Sequence, residues 1–168
     1  KIPLKSSIKI FENQIFLIDQ DNQIFSLSIK DGSKIWNIFS IESFIKSQSL
    51  MPMAVSNNGN LVTLNSTADL FNINATDGNV YWATNTSGSL LANVSDFFKS
   101  SEVVLVDEEI IFSTTSSIFS YNLNNGLINW ENEVTSVSAP IINGSNIFFV
   151  TENGYFIIVD KDNGEIIS

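Results

Sequence analysis

Ile24-Phe25-Ser26-Leu27-Ser28-Ile29-Lys30-Asp31-Gly32-Ser33-Lys34-Ile35-Trp36 is the stretch whose reading decides the fold. An apolar, partly alternating run leads into Asp-Gly, and a tryptophan follows four positions after the glycine. Alternation at period two reads as a strand. Asp-Gly between two such runs reads as a hairpin turn, because the turn needs a residue at positive φ and glycine supplies it without steric cost. The arrangement returns as Gly78 with Trp82 and Gly126 with Trp130, and a last copy pairs Gly164 with Ser168. Asp77, Asn125 and Asn163 precede these glycines as Asp31 precedes Gly32.

Working outward, the segments starting at Ile24, Leu70, Ile118 and Phe156 each begin eight positions before their glycine. A second apolar strand lies upstream of each, at Ile15 to Ile18, Leu61 to Leu64, Ile110 to Phe112 and Ile147 to Val150. A third precedes those, at Ile8 to Phe11, Met53 to Val55, Val103 to Val106 and Ile141 to Ile142. With the strand after the turn, each unit is predicted to hold four short strands. The glycine-to-glycine spacings of 46, 48 and 38 residues fit propeller blades. The expected fold is therefore all-β: a β-propeller array of about four four-stranded antiparallel blades, approximately 1–39, 51–84, 102–131 and 138–168, in one domain. The long stretches 40–50 and 85–102 read as insertions on one rim.

The turn-then-Trp ending of these units resembles the quinoprotein-like (PQQ-like) repeat family, over nearly the whole chain. Within it, residues 13–22 running on to Trp36, then Asn58-Gly59-Asn60-Leu61-Val62 and Asn153-Gly154-Tyr155-Phe156-Ile157, resemble the BamB family of outer-membrane barrel-assembly lipoproteins. The resemblance implies an eight-bladed periplasmic propeller, outer-membrane associated through a lipidated cysteine. Such a propeller docks on the barrel-insertion protein and helps outer-membrane proteins assemble. Four units against eight, and Ser168 where the fourth tryptophan would stand, give the expectation of a partial ring. Open blade edges at its two ends would then invite self-association. Lys1 is no initiator and no apolar leader follows it, so the numbering is expected to begin inside a longer or processed precursor.

Composition narrows the function classes. The 168 residues carry a formal net charge of −10, and the eight basic residues are all Lys, so the dense Arg/Lys footprint needed to grip nucleic acid is missing. There is no His and no Cys, which removes the commonest general base, thiol chemistry and the usual zinc ligands. No catalytic residue, metal or cofactor is expected, and the chain reads as a protein-binding scaffold, not an enzyme. The alternatives are part of a quinoprotein dehydrogenase or an extracytoplasmic sensor domain. Against the dehydrogenase, the resemblance implies Asp eight positions before Trp, where Ser28, Asn74 and Asn122 stand here.

Equal positions in equal repeats point to packing. Gly32, Trp36, Gly78, Trp82, Gly126, Trp130 and Gly164 are therefore assigned to blade packing rather than to an aromatic binding face. The pairs Asp19/Asp21 and Asp160/Asp162 lack the spacing of a calcium loop and read as solvated turns. Two groups are partner-binding candidates. Asp107, Glu108 and Glu109 form a charged hairpin tip, and Phe97 and Phe98 in the longest insertion either anchor a partner or pin their loop.

Overall fold

A computed structural model describes residues 3–40, 49–86, 99–134, 136 and 138–168. Its strands fall into four antiparallel sheets that follow the chain without crossovers. The first holds β1 (Lys9–Phe11), β2 (Gln14–Ile18), β3 (Ile24–Ser28) and β4 (Lys34–Ile38). The second holds β5 (Met53–Val55), β6 (Asn60–Leu64), β7 (Asp69–Asn74) and β8 (Val80–Asn85). β9 (Val104–Val106), β10 (Glu109–Ser113), β11 (Ile118–Asn122) and β12 (Ile128–Asn132) make the third, and β13 (Ile141–Asn143), β14 (Asn146–Val150) and β15 (Phe156–Asp160) the fourth. The fourth sheet has three strands. Its last segment makes only a bridge from Ile166 to Val159 and backbone hydrogen bonds between Ser168 and Ile158.

The hydrophobic pattern explains why the sheets stack. Within β10, Ile110 and Phe112 pack with Val62, Leu64 and Leu70 of the second sheet, while the intervening Ile111 packs with Ile147, Phe149 and Val159 of the fourth. An inner sheet is thus covered on both faces, and its middle strands lose the apolar–polar alternation of a half-exposed strand. Leu61, Val62, Thr63 and Leu64 are all wholly buried. A third core joins Phe16, Ile18 and Ile24 of the first sheet to Leu61 and Ile73 of the second. Each fully buried side chain of this kind stabilises the fold by about 1.5–3 kcal/mol.

The strands β1, β5 and β9 approach one another from sheet to sheet, with Ser6 bridging to Met51 in parallel. The strands that carry tryptophan, β4, β8 and β12, lie at the opposite sheet edges. The turn glycines have the positive φ expected of them, +72 for Gly32 and +71 for Gly126. Their loop is longer than a two-residue hairpin. In the first sheet Ser28 N–H donates to Ser33 O and Gly32 N–H to Ser28 O, so Gly32 closes a four-residue loop. The side chain at the loop's start caps it: Asn74 Oδ1 accepts from Thr76 N–H at 2.9 Å and Asn122 Oδ1 from Asn124 N–H at 2.9 Å.

A bulge follows the loop in each of the first three sheets. Leu27 pairs with Lys34 and Ser26 with Trp36, so Ile35 is the extra residue; Tyr81 and Asn129 are extra in the next two sheets. An unpaired residue reverses the side-chain phase of the strand beyond it. That reversal aims each tryptophan at the following sheet.

Candidate functional site

The most ordered polar constellation lies between sheets. Trp36 Nε1 donates to Ala75 O at 3.0 Å, Trp82 Nε1 to Leu123 O at 2.8 Å and Trp130 Nε1 to Lys161 O at 2.7 Å. Each acceptor lies three residues before the next unit's glycine. The ring itself covers that glycine, since a Cβ on Gly78, Gly126 or Gly164 would stand 2.8, 2.6 or 2.5 Å from the Trp36, Trp82 or Trp130 ring. One indole thus packs on a bare backbone and satisfies a carbonyl. Gly32, at the start of the array, has no atom within 4 Å of that place.

A second set of polar side chains runs alongside these locks. Gln14 donates to Thr76 O at 3.1 Å and accepts a hydrogen bond from Ser26. Asn72 Nδ2 donates to Leu123 O at 2.9 Å. Between the third and fourth sheets, Glu109 accepts from Lys161 Nζ at 2.9 Å and from Ser120 Oγ at 2.9 Å. That hydrogen bond raises the Lys161 ammonium above the ordinary lysine range, with Asp162 and Asp107 adding to it. Sequence reading missed this set. The available signal was Ser26, Asn72 and Ser120, each six positions before its glycine in a segment otherwise apolar.

The candidate hairpin tip divides on inspection. Asp107 and Glu108 form the exposed two-residue turn between β9 and β10, with Asp107 at φ +51. Glu109 turns toward the sheet interface, where Lys161 holds it, and lines the same concavity as Asp107 and Glu108. Asp162 of the fourth sheet reaches the same rim, 3.6 Å from Lys161 Nζ, and the concavity there is also lined by Asn122 and Asn129. Phe97 and Phe98 lie outside the described residues. Asp19 Oδ1 accepts from the N–H groups of Asp21 and Gln23, and Asp160 Oδ1 from those of Asp162 and Asn163, so both work as turn caps. Among the described residues no three Asp or Glu side chains come together to hold a metal ion, and no helix is long and apolar enough to cross a membrane.

With that geometry in view, one family model, described as outer membrane protein assembly factor BamB, matches residues 3–168. The chain belongs to the BamB family. Among solved structures, BamB from Moraxella catarrhalis is similar at a TM-score of 0.75 and 12% identity, over 96% of this chain and 50% of that one. Quinohemoprotein alcohol dehydrogenase from Comamonas testosteroni is similar at 0.75 and 10% identity, over 99% and 34%. A computationally designed protein, Ika8, is similar at 0.69 and 12% identity, over 96% and 47%. At such identities the likeness establishes the propeller fold. The chain spans half the length of the solved BamB it matches. No curated protein sequence matches it.

Proposed function

We propose that this chain is a non-catalytic protein-binding scaffold that acts with the barrel-insertion machinery in outer-membrane protein assembly, on the periplasmic side of the outer membrane. The observation that carries this reading is the BamB family match across residues 3–168. The chemistry of the surface agrees with it. Glu109, Lys161, Gln14 and Asn72 are engaged in joining sheets, which leaves them unsuited to turning over a substrate. The exposed Asp107, Glu108 and Asp162 surround the mostly buried Lys161 and give a net acidic rim, the kind of surface that selects a basic protein patch. The chain works as one domain of four units bounded near 1–39, 51–84, 102–131 and 138–168, and Phe97 and Phe98 are further candidates for partner binding.

The test is capture from an outer-membrane envelope extract with the tagged protein. Recovery of the barrel-insertion protein, reduced by Asp107→Lys with Glu108→Lys, is the expected result. Recovery of a redox partner instead, together with an absorbance change on adding quinone and calcium, would replace the scaffold reading with a dehydrogenase one. The quinohemoprotein neighbour shares only the fold at 10% identity and does not favour that outcome.

A further inference from the structure

Seven of the chain's eight glycines follow Asn or Asp. That dipeptide is chemically labile, because a glycine has no side chain to block its backbone nitrogen from attacking the preceding side-chain carbonyl carbon. The attack needs the nitrogen to shed its proton and turn toward Cγ, so a hydrogen bond from the N–H to a carbonyl holds it back. Six of the seven glycines are held in this way. Gly32, Gly78, Gly126 and Gly164 N–H donate to Ser28, Asn74, Asn122 and Asp160 O, and Gly59 and Gly154 N–H to Ser56 and Thr151 O, all at 2.9 to 3.0 Å. Asn125 and Asn163 are restrained a second time, since their Oδ1 atoms accept from Leu127 and Glu165 N–H at 2.9 and 2.8 Å.

Asn143-Gly144 is built differently. Asn143 pairs with Asn146 across β13 and β14, so Gly144 and Ser145 form a two-residue turn, and the Gly144 N–H takes no part in the ladder. Among the described residues no backbone carbonyl meets that N–H, nothing lies within 4 Å of the Gly144 Cβ position, and the exposed Asn143 side chain makes no hydrogen bond. The equivalent turn of the third sheet, Asp107-Glu108, is also exposed, with a sheet packed on either side of it. The exposure therefore belongs to the turn and not to its place in the array.

We propose that Asn143 is a site of spontaneous deamidation, selected by the fold from the five Asn-Gly pairs of the sequence. Gly144 N, its proton taken by base, bonds to Asn143 Cγ; the Cγ–Nδ2 bond breaks, and the amide leaves as ammonia after taking a proton from water. One water then opens the cyclic imide. Cleavage at Cγ gives aspartate, and cleavage at the main-chain carbonyl gives isoaspartate, in which the backbone runs through Cβ and Cγ. The net change exchanges ammonia for water and adds one negative charge, with no oxidant or reductant. The site bears on the junction between the third and fourth sheets. Ser145 O accepts from Lys161 N–H at 2.8 Å, and Lys161 O in turn accepts from the Trp130 indole at 2.7 Å. Isoaspartate lengthens the main chain by one carbon just before this turn, which breaks the pairing of residue 143 with Asn146 and draws Ser145 away from Lys161. The aspartate product keeps the hairpin and adds a carboxylate at the foot of the turn equivalent to Asp107-Glu108. Asn143 thus records the age of the molecule as a looser junction or a more acidic turn.

Peptide mapping by mass spectrometry of the purified chain, held in mildly alkaline buffer and sampled over time, tests the proposal. In the native protein Asn143 should convert about fivefold or more ahead of Asn58, Asn125, Asn153 and Asn163, the factor for first opening one hydrogen bond. In urea that unfolds the chain the five sites should react at similar rates, since all share the Asn-Gly sequence. Asn143→Gln should remove the early acidic species. The isoaspartate form, separated chromatographically, should lose hydrogen-exchange protection at the Lys161 amide, whereas Asn143→Asp should keep it. Another Asn-Gly pair reacting first in the native protein, or one order of sites in native and unfolded chains alike, overturns selection by the fold. Unchanged protection of Lys161 in the isoaspartate form overturns the link to the junction.

Discussion

Gly126 and Gly32 have nearly the same backbone, φ +71 and +72, in very different surroundings. The Trp82 ring lies 2.6 Å from where a Cβ on Gly126 would stand, and nothing lies within 4 Å of the corresponding place at Gly32. Gly32→Ala should therefore cost only the left-handed backbone, about 1–2 kcal/mol. Gly126→Ala should cost about 3 kcal/mol or more, because it also displaces the indole from its seat. Urea denaturation midpoints separate the two; equal losses would show that the ring contributes nothing at this junction. Tyr121 gives a second test. It stacks on Phe112 at 5.9 Å in the core between the second and third sheets. Burial, with the Glu131 carboxylate second, pushes its phenol up to about 12. An unfolded tyrosine ionises near pH 10, so the folded state holds the proton more tightly. The contribution is complete below pH 10 and is lost as pH rises from 10 through 12, on the order of 2 kcal/mol in all. Tyr121→Phe should flatten that fall in a pH series of denaturation midpoints, and an unaltered slope would place the loss elsewhere.

Hairpins carry the order of the next scale. The β6–β7 turn is built on Asn65, 1% exposed, whose Oδ1 accepts from Thr67 N–H and Asp69 N–H, both at 2.9 Å. Its Nδ2 donates to Ser40 Oγ at 2.7 Å, which ties the end of the first unit to the second. Asn65→Ala leaves these partners unpaired and should cost about 2 kcal/mol, and Asn65→Asp should cost at least as much, because Nδ2 also donates to Asp69 Oδ2 at 3.2 Å and the change sets two carboxylates against each other. Calorimetric melting of the two variants checks the order. The same scale shows how far the sequence could be read. Glycine-to-tryptophan spacing marked three hairpins, and Asn163-Gly164 the fourth, because a positive φ and a large ring are local, residue-specific demands. The bulges at Ile35, Tyr81 and Asn129 were not legible, since an unpaired residue is defined by the strand opposite it. The ion pair of Glu109 was hidden for a related reason. In a run of three acids it reads as surface, whereas the alternation along β10 turns it toward Lys161, a residue 52 positions away. The rim described by Asp107 and Glu108 was legible as a charged turn, and its neighbour Asp162 was not, because only stacking brings the two sheets together.

For the whole molecule, a linear stack makes stability a sum of sheets and junctions. The second and third sheets are each held by two of the three cores, the first and fourth by one. The fourth is weaker again, with three strands and a single bridge in place of its last. Native-state hydrogen exchange should follow that order. Amides of β6, β7, β10 and β11 should exchange last, and those of β14 and β15 first, by about tenfold for each 1.4 kcal/mol separating their opening free energies. Uniform protection in all four sheets would instead mean that the stack opens as one unit. The locks would then couple the sheets so strongly that none of them opens by itself.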